Sequence, residues 1–236
     1  MAFFQEQKPA HEPAFRAPAS VLLLIAALVA AHAGRVLSSN AFSDRILNDY
    51  ALNPAVYLAQ YPDVAFDRLI MPFSHMFLHA DWTHLAVNCV WLLAFGPVIA
   101  RRFGGPAFLV FFLLCGLVGA LFFVVFEWGL SIGAIGASGA ISGLMGGAIR
   151  MIRIQQPYLN AATLPLEPLL SRQVLLFTGV WLVVNFAVGM IGMGAWGTVQ
   201  YIAWQDHMGG YFAGLLLVGP FDRFVGLSAK LSRRDA

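Results

Sequence analysis

The chain has 236 residues, of which 59% are hydrophobic and 11% charged, and its formal net charge is +2. Soluble domains are about 45–50% apolar and about 25% charged, so this composition excludes a water-soluble globular protein. The basic residues stand at the ends of apolar segments and form no patch, which argues against a nucleic-acid partner. Cys89 and Cys115 lie within apolar stretches, where we expect buried thiols and no disulfide.

Hydropathy predicts six membrane-spanning helices, because a helix of about 20 apolar residues crosses a bilayer. The predicted spans are residues 18–37, 79–100, 106–127, 138–153, 172–192 and 199–219. In the first span, Ala31-His32-Ala33 is similar to a signal-peptidase site. The apolar run continues past it, which favours a retained helix. We therefore expect an all-α polytopic bundle with a short central fourth helix.

The domain organisation and orientation follow from the spans and from the positions of Lys and Arg. We expect one membrane domain over 18–220, with cytoplasmic segments at 1–17 and 221–236. Of the 14 basic residues, all but Arg35, Arg45 and Arg68 fall on the side of the two termini. The positive-inside bias therefore predicts a multi-pass protein of the cell (inner) membrane with both termini in the cytoplasm. The segment 38–78 is expected to form a structured loop against the membrane surface.

The second predicted span begins with several polar side chains. His84 and Asn88 are four residues apart and share a helical face, which suits a pocket that binds an oxyanion. His75 and His79 have the same spacing, so a metal site is an alternative. No carboxylate lies on that face and no H-E-x-x-H motif is present, and we therefore expect no metal.

The fourth predicted span opens with Ser138 after a glycine-rich approach. A serine here is a good helix N-cap, which is the simplest explanation of it. However, the 12 residues from Ser138 to Arg150 make only about 18 Å of helix, against a hydrocarbon layer of about 30 Å. Ser138 is thus expected about 10 Å below the outer surface, where non-helical backbone must line a cavity.

The same helix has features of a central helix that could support chemistry. Gly139, Gly143 and Gly147 form two overlapping G-x-x-x-G units, which let neighbouring helices approach closely. The free amides of a helix N-terminus would stabilise the oxyanion that forms when a serine attacks a carbonyl.

The sixth predicted span contains His207, an ionisable residue that is a functional candidate by default. Counting back from Arg223 gives about 24 Å of helix, which puts His207 near the depth of Ser138. His207, Gly210 and Gly214 share one face, so close packing on the fourth span would bring the imidazole to the serine. A core histidine bonded to a backbone carbonyl is the alternative.

The neighbouring Asp206 raises the question of a catalytic triad. Adjacent residues on a helix point about 100° apart, so its carboxylate is not expected to orient the imidazole. We expect Asp206 to face the cavity rim or a loop, and we expect the site to be a Ser–His dyad.

Taken together, these motifs resemble the rhomboid family of intramembrane serine proteases. The resemblance covers about residues 79–215 and is specific in order and spacing. It is carried by His79-x4-His84-x3-Asn88, by Gly96, by Gly136-Ala137-Ser138-Gly139 and by His207-x2-Gly210-x3-Gly214.

The resemblance implies a six-helix core that cuts single-span membrane proteins within the lipid bilayer, with no metal and no other cofactor. Ser138 matches the nucleophile and His207 the general base. His84 and Asn88 match side chains that help the Ser138 amide to bind the oxyanion. His79 matches a structural histidine above the site. Structural roles near the site are also expected for Gly136, Gly139, Gly210 and Gly214.

This sequence departs from the family pattern at four places, which leave the packing around the site in doubt. Leu69-Ile70-Met71-Pro72 replaces a Trp-Arg pair of the first loop, Ala100 replaces a glutamate, Ser142 an aromatic residue and Asp206 an alanine. A non-catalytic rhomboid-like protein that binds membrane helices is an alternative, but such proteins typically lack the serine or the histidine and this chain has both. A small transporter is a third reading. We also expect the glycine-rich connection 190–197 to be either a cap over the site or an ordinary interhelical loop.

Overall fold

A computed structural model describes residues 17–58, 65–152, 164–192 and 202–232, and the described chain is all helical apart from connections. The long helices are α1 (Ala19–Val36), α2 (Asn40–Tyr50), α3 (Ala65–Ser74), α4 (Trp82–Phe103), α5 (Gly105–Phe126), α6 (Ser138–Ala148), α7 (Arg172–Gly192) and α8 (Trp204–Ser232). The connection between α1 and α4, here called the first loop, also contains two short 3₁₀ turns, at Pro54–Tyr57 and His75–Phe77. The predicted all-α class is confirmed.

Six of these helices correspond to the six predicted spans: α1, α4, α5, α6, α7 and α8. Within the described residues, α1, α4, α5 and α7 are each long and apolar enough to cross a membrane. Helix α6, which corresponds to the fourth predicted span, is short, as predicted, with 11 residues. Helix α8, which corresponds to the sixth predicted span, continues to Ser232, beyond the predicted end of the membrane domain at 220. The number of crossings stays a prediction, because α6 and α8 do not meet the criteria of length and apolar composition.

The segment 38–78 is structured, as predicted, wherever it is described. Its start is fixed by Ser39, whose side chain accepts a hydrogen bond from the Phe42 amide and so caps α2. Further along, Arg68 donates to the Val56 carbonyl at 2.7 Å, and its own carbonyl accepts from the Tyr57 hydroxyl at 2.9 Å. These bonds tie α3 to the first 3₁₀ turn.

Helix α6 lies at the centre of the bundle, between α4, α5 and α8. Ten of its 11 residues, all but Ser138, are buried. A Cβ added at Gly210 or Gly214 of α8 would overlap the backbone carbonyl of Gly139 or Gly143, respectively. The predicted close approach of the two helices through facing glycines is therefore confirmed for these two pairs.

Gly147 does not take part in the contact between α6 and α8. Its missing side chain faces Ile99 of α4 and Phe111 of α5, whereas Gly146 takes the position against the α8 backbone at Tyr211 and Leu215. With 3.6 residues per turn, a row of glycines at every fourth residue drifts around the helix. The third glycine thus leaves the face that the first two share.

Candidate active site

Ser138 is the first residue of α6, and its side chain points at α8. Its Oγ lies 2.8 Å from Nε2 of His207, within hydrogen-bonding distance. The N-cap position belongs to Ala137, which makes no side-chain cap, so the explanation of Ser138 as an N-cap was wrong. The structure brings together the two residues predicted from separate spans. Both ring nitrogens of His207 contact side chains, so the alternative in which this histidine bonds to a backbone carbonyl was wrong.

The approach to Ser138 is held by backbone bonds to the first loop. Ala134 and Leu52 form a pair of bridging hydrogen bonds of 2.9 and 3.0 Å, and the Gly136 amide donates to the His75 carbonyl at 2.9 Å. Gly136 has φ of +128°, a conformation that side chains rarely adopt, and a Cβ there would lie 2.9 Å from His84 Nε2. A glycine is required at this position for both reasons.

His84 presents an N–H group to this end of α6. Its Nδ1 accepts a hydrogen bond from the Ala80 amide at 3.4 Å, so in the neutral ring the proton is on Nε2. That nitrogen is the atom beside Gly136. One turn further along α4, Asn88 is buried and its Nδ2 donates to the His84 carbonyl at 2.9 Å. The Asn88 amide keeps a second N–H, because one nitrogen carries two.

His79 lies behind His84 in the same loop. It is fully buried, and its ring centroid is 5.1 Å from that of His84 in an edge-to-face arrangement. Its carbonyl accepts a hydrogen bond of 2.6 Å from Arg35 of α1. These contacts place His79 between the carboxyl-terminal end of α1 and the ring of His84.

Asp206 meets one of our two expectations. It is only 3% exposed, so it does not lie at a cavity rim, but its Oδ1 lies 4.0 Å from Nε2 of His75 in the loop. Its carboxyl group lies in the space that side chains at Gly119 of α5 and Gly139 of α6 would fill, and it accepts a hydrogen bond from the Gly139 amide. Two glycines make the room, and the positive end of α6 receives the carboxyl oxygen. As predicted, it makes no recorded bond to the His207 ring.

His75 faces Asp206 from the loop. Its Nδ1 is bonded to the Met71 carbonyl at 3.0 Å, and its Nε2 lies 4.0 Å from Oδ1 of Asp206. Burial lowers the pKa of His75 to about 4, with the backbone contacts of Met71 and Pro72 opposing the shift. The ring is therefore neutral near pH 7, and it lies beside Asp206 of α8 without a hydrogen bond between the two facing atoms.

A metal site on His75 and His79 is not supported by their positions. The two residues flank a 3₁₀ turn, so they do not share a helical face as their spacing suggested. In the part of the chain that the structure describes, no three His, Cys, Asp or Glu residues are grouped so that they could hold a metal ion. That the protein needs no metal stays a prediction.

One residue close to the catalytic candidates was not predicted. Asn185 of α7 is 8% exposed, and its Oδ1 lies 2.9 Å from Nδ1 of His207. Its Nδ2 donates to the Trp204 carbonyl at 3.1 Å. The available signal was a lone amide within an apolar span, since such polar residues face the protein interior. The predicted cap at 190–197 cannot be placed, because residues 193–201 lie outside the described chain.

The fold and site define a class of protein: a bundle of membrane-capable helices with a Ser–His pair at the start of its most buried helix. Comparison with known proteins names that class. Residues 67–222 match the Rhomboid domain, and the chain belongs to the rhomboid family. The rhomboid family is a family of intramembrane proteases, and the family that the sequence motifs indicated is confirmed.

Two curated proteins illustrate the relationship. The chain is similar to "Rhomboid-like protease 3" of Toxoplasma gondii, with 31% identity over 99 residues, which are 42% of this chain and 36% of that protein. It is also similar to "Putative rhomboid protease YdcA" of Bacillus subtilis (strain 168), with 38% identity over 85 residues, which are 36% of this chain and 41% of that protein. Each match covers about two fifths of the relative's length.

Proposed function

We propose that the protein is an intramembrane serine endopeptidase that uses Ser138 as nucleophile and His207 as general base. The observation that carries the proposal is the 2.8 Å separation of Ser138 Oγ and His207 Nε2 at the start of α6. A serine is a weak nucleophile until an adjacent base accepts its proton. Membership of the rhomboid family supports the same reaction.

In the proposed reaction, Ser138 Oγ bonds to the carbonyl carbon of the scissile peptide while its proton moves to His207 Nε2. The π electrons of the carbonyl move to oxygen and form an oxyanion. When the tetrahedral intermediate collapses, the carbon–nitrogen bond breaks and the leaving amine takes the proton from His207. Water then attacks the acyl ester with His207 again as base, which releases the acid and restores Ser138.

Three donors are proposed to stabilise the oxyanion: the Ser138 amide, His84 and Asn88. The Ser138 amide is at a helix N-terminus, where amides lack an intrahelical acceptor. The neutral ring of His84 has its N–H beside Gly136, and Asn88 has one N–H not used by the His84 carbonyl. Donors fixed before the reaction stabilise developing charge without reorganising.

The substrates are proposed to be single-span membrane proteins in the lipid bilayer, with no metal or cofactor. The protein is proposed to lie in the cell (inner) membrane with segments 1–17 and 221–236 in the cytoplasm. The contacts at one end of the bundle support this orientation: Arg102 is paired with Asp222 at 2.7 Å, and Arg150 bonds to the Leu215 carbonyl at 2.9 Å. Basic side chains thus gather where α4 and α6 end, beside residues 215–222 of α8.

The test is reaction with a fluorophosphonate probe, which phosphonylates an activated serine with loss of fluoride. We expect the detergent-solubilised protein to be labelled at Ser138, and Ser138→Ala to remain unlabelled. Ser142→Ala, which removes a buried serine one turn further along α6, is the matched control and should be labelled as wild type. EDTA should change neither labelling nor cleavage of a single-span substrate. A folded wild-type protein that does not react would overturn the proposal and favour the non-catalytic binding protein.

A further inference from the structure

The two nitrogens of the His207 ring have different partners, on different helices. Nε2 contacts Ser138 Oγ of α6 at 2.8 Å, and Nδ1 contacts Asn185 Oδ1 of α7 at 2.9 Å. A base that abstracts the serine proton needs a lone pair on Nε2, and therefore the proton on Nδ1. The group that faces Nδ1 decides which nitrogen carries the proton.

The orientation of the Asn185 amide follows from its other contact. The Trp204 carbonyl, 3.1 Å from the amide, can only accept a hydrogen bond. The NH₂ group must therefore face Trp204, since the reversed amide would place two acceptors against each other. This leaves Oδ1, an acceptor, facing His207, so that Nδ1 must donate. The chain of contacts from Trp204 through Asn185 thus sets Nε2 as the nitrogen with the free lone pair.

We propose that Asn185 is a positioning residue that completes a Ser138–His207–Asn185 triad, an inference that rests on the proposed function. The arrangement has the roles of a Cys–His–Asn protease, with a neutral acceptor behind the histidine. Asp206 does not take this role, because its carboxyl group is directed at Gly119, Gly139 and His75. Asn185 fixes the tautomer and ring orientation and does not touch the reacting atoms.

The test compares two substitutions of similar size that separate hydrogen bonding from packing. Asn185→Asp keeps an acceptor toward Nδ1 but replaces the NH₂ group that faces the Trp204 carbonyl with an oxygen, whereas Asn185→Leu keeps the volume and removes both polar contacts. We expect Asn185→Leu to lower the rate constant for fluorophosphonate labelling, and kcat, by roughly 10–100-fold, with KM unchanged. Asn185→Asp should retain a rate at least about tenfold above that of Asn185→Leu. A residue that only packs would give the opposite order, because leucine suits an apolar helix and a carboxylate does not.

Thr178→Val is the matched control. Thr178 Oγ1 and the Tyr211 hydroxyl form another α7–α8 hydrogen bond, of 2.8 Å, which does not involve His207. Its loss should lower the melting temperature by a few degrees and leave the labelling rate within about twofold of wild type. Asn185→Ala, measured on the monodisperse fraction, serves if the leucine variant does not fold, and it should be slow as well.

The outcomes separate this inference from the proposed function. If wild type reacts at Ser138 and Asn185→Leu and Asn185→Ala react at the wild-type rate, the triad is wrong and the endopeptidase stands. If Thr178→Val slows labelling as much as Asn185→Leu, the role of Asn185 is to tether α7, which also overturns the inference. If wild type itself does not react at Ser138, the proposed function fails first.

Discussion

Helices α6 and α7 represent opposite extremes of packing. Ten of the 11 residues of α6 are buried, and its backbone touches that of α8 through glycines. In the most apolar 18 residues of α7, only 17% of the residues are buried, against 50% in the corresponding stretch of α5. Apolar side chains of α7 face outward, among them those of Val180, Val183 and Phe186, each more than half exposed.

The difference shows how the site is divided between rigid and lightly held parts. Helices α6 and α8 hold Ser138 and His207 next to a contact where the glycines of α8 leave no room for a Cβ. Helix α7 is attached to α8 mainly through Trp181 stacked on Tyr211, the Thr178–Tyr211 bond and Asn185. The proposed catalytic pair, Ser138 and His207, therefore lies in the packed core, whereas the proposed positioning residue, Asn185, lies on the loosely packed α7.

The largest effect is expected in the packed core. Ser138→Ala and His207→Ala should each lower cleavage of a single-span substrate by at least about 10⁴-fold, since nucleophile and base act as a unit. Both variants should insert and fold, because each removes side-chain atoms without adding any. Gel-based turnover of purified protein measures the loss. Substantial proteolysis by Ser138→Ala would show that the core is not the catalytic part.

The second prediction moves to α4, at the edge of the core. His84→Ala and Asn88→Ala should each lower kcat by about 10²–10³-fold, the usual cost of one oxyanion donor, while the Ser138 amide continues to act. Val90→Ala, on an exposed part of the same helix, should have no effect. The measurement requires a substrate for which chemistry limits the rate, and unchanged turnover in both variants would contradict the proposed pocket.

The third prediction exchanges the same substitution between the two regions. Gly214→Ala in α8 should lower the free energy of unfolding by about 1–3 kcal/mol, because the added methyl group overlaps the Gly143 carbonyl. Gly179→Ala in α7 meets nothing within 4 Å, and alanine favours a helix over glycine by about 1 kcal/mol. Melting temperatures should therefore move in opposite directions. Equal destabilisation of both variants would mean that α7 is as tightly packed as α8.

The smallest effect concerns the loop that meets the core at His75. Its pKa is about 4 in the fold and 6.5 in an unfolded chain, so between these values the unfolded chain binds more protons. The stability that the neutral ring provides is complete above about pH 6.5 and is lost as the pH falls toward 4. We expect about 1–3 kcal/mol of pH-dependent stability from this group. His75→Gln should reduce the slope of melting temperature against pH over that interval, and a slope identical to wild type would contradict the assignment.

The sequence was most informative where residue type alone restricts the structure. Glycines at fixed spacing predicted the facing surfaces of α6 and α8, and the counted distances to Arg150 and Arg223 predicted that Ser138 and His207 would meet. These inferences need only the rise of a helix and the absence of a side chain. They succeeded because a side chain at Gly210 or Gly214 would overlap the backbone of α6, so only glycine allows this packing.

What the sequence did not reveal depended on the rotation of helices about their axes. Helix α7 is apolar on all sides, so no polar face indicates which way Asn185 points. The direction of Asp206 was inferred from its neighbour alone, whereas Gly119 of a different helix provides the room for it. The space for the Asp206 carboxyl group is made by a glycine far away in the sequence, so no pattern near residue 206 indicates it.

The shortness of α6 has a consequence for how the protein is made. Eleven residues form roughly 16 Å of helix, about half of the hydrocarbon thickness, so this segment has little tendency to insert by itself. Its partner surface on α8 is synthesised more than 50 residues later. The chain therefore leaves the ribosome with α6 synthesised before the glycines of α8 that pack against it. The contact between Ser138 and His207 can form only after α8 has been made.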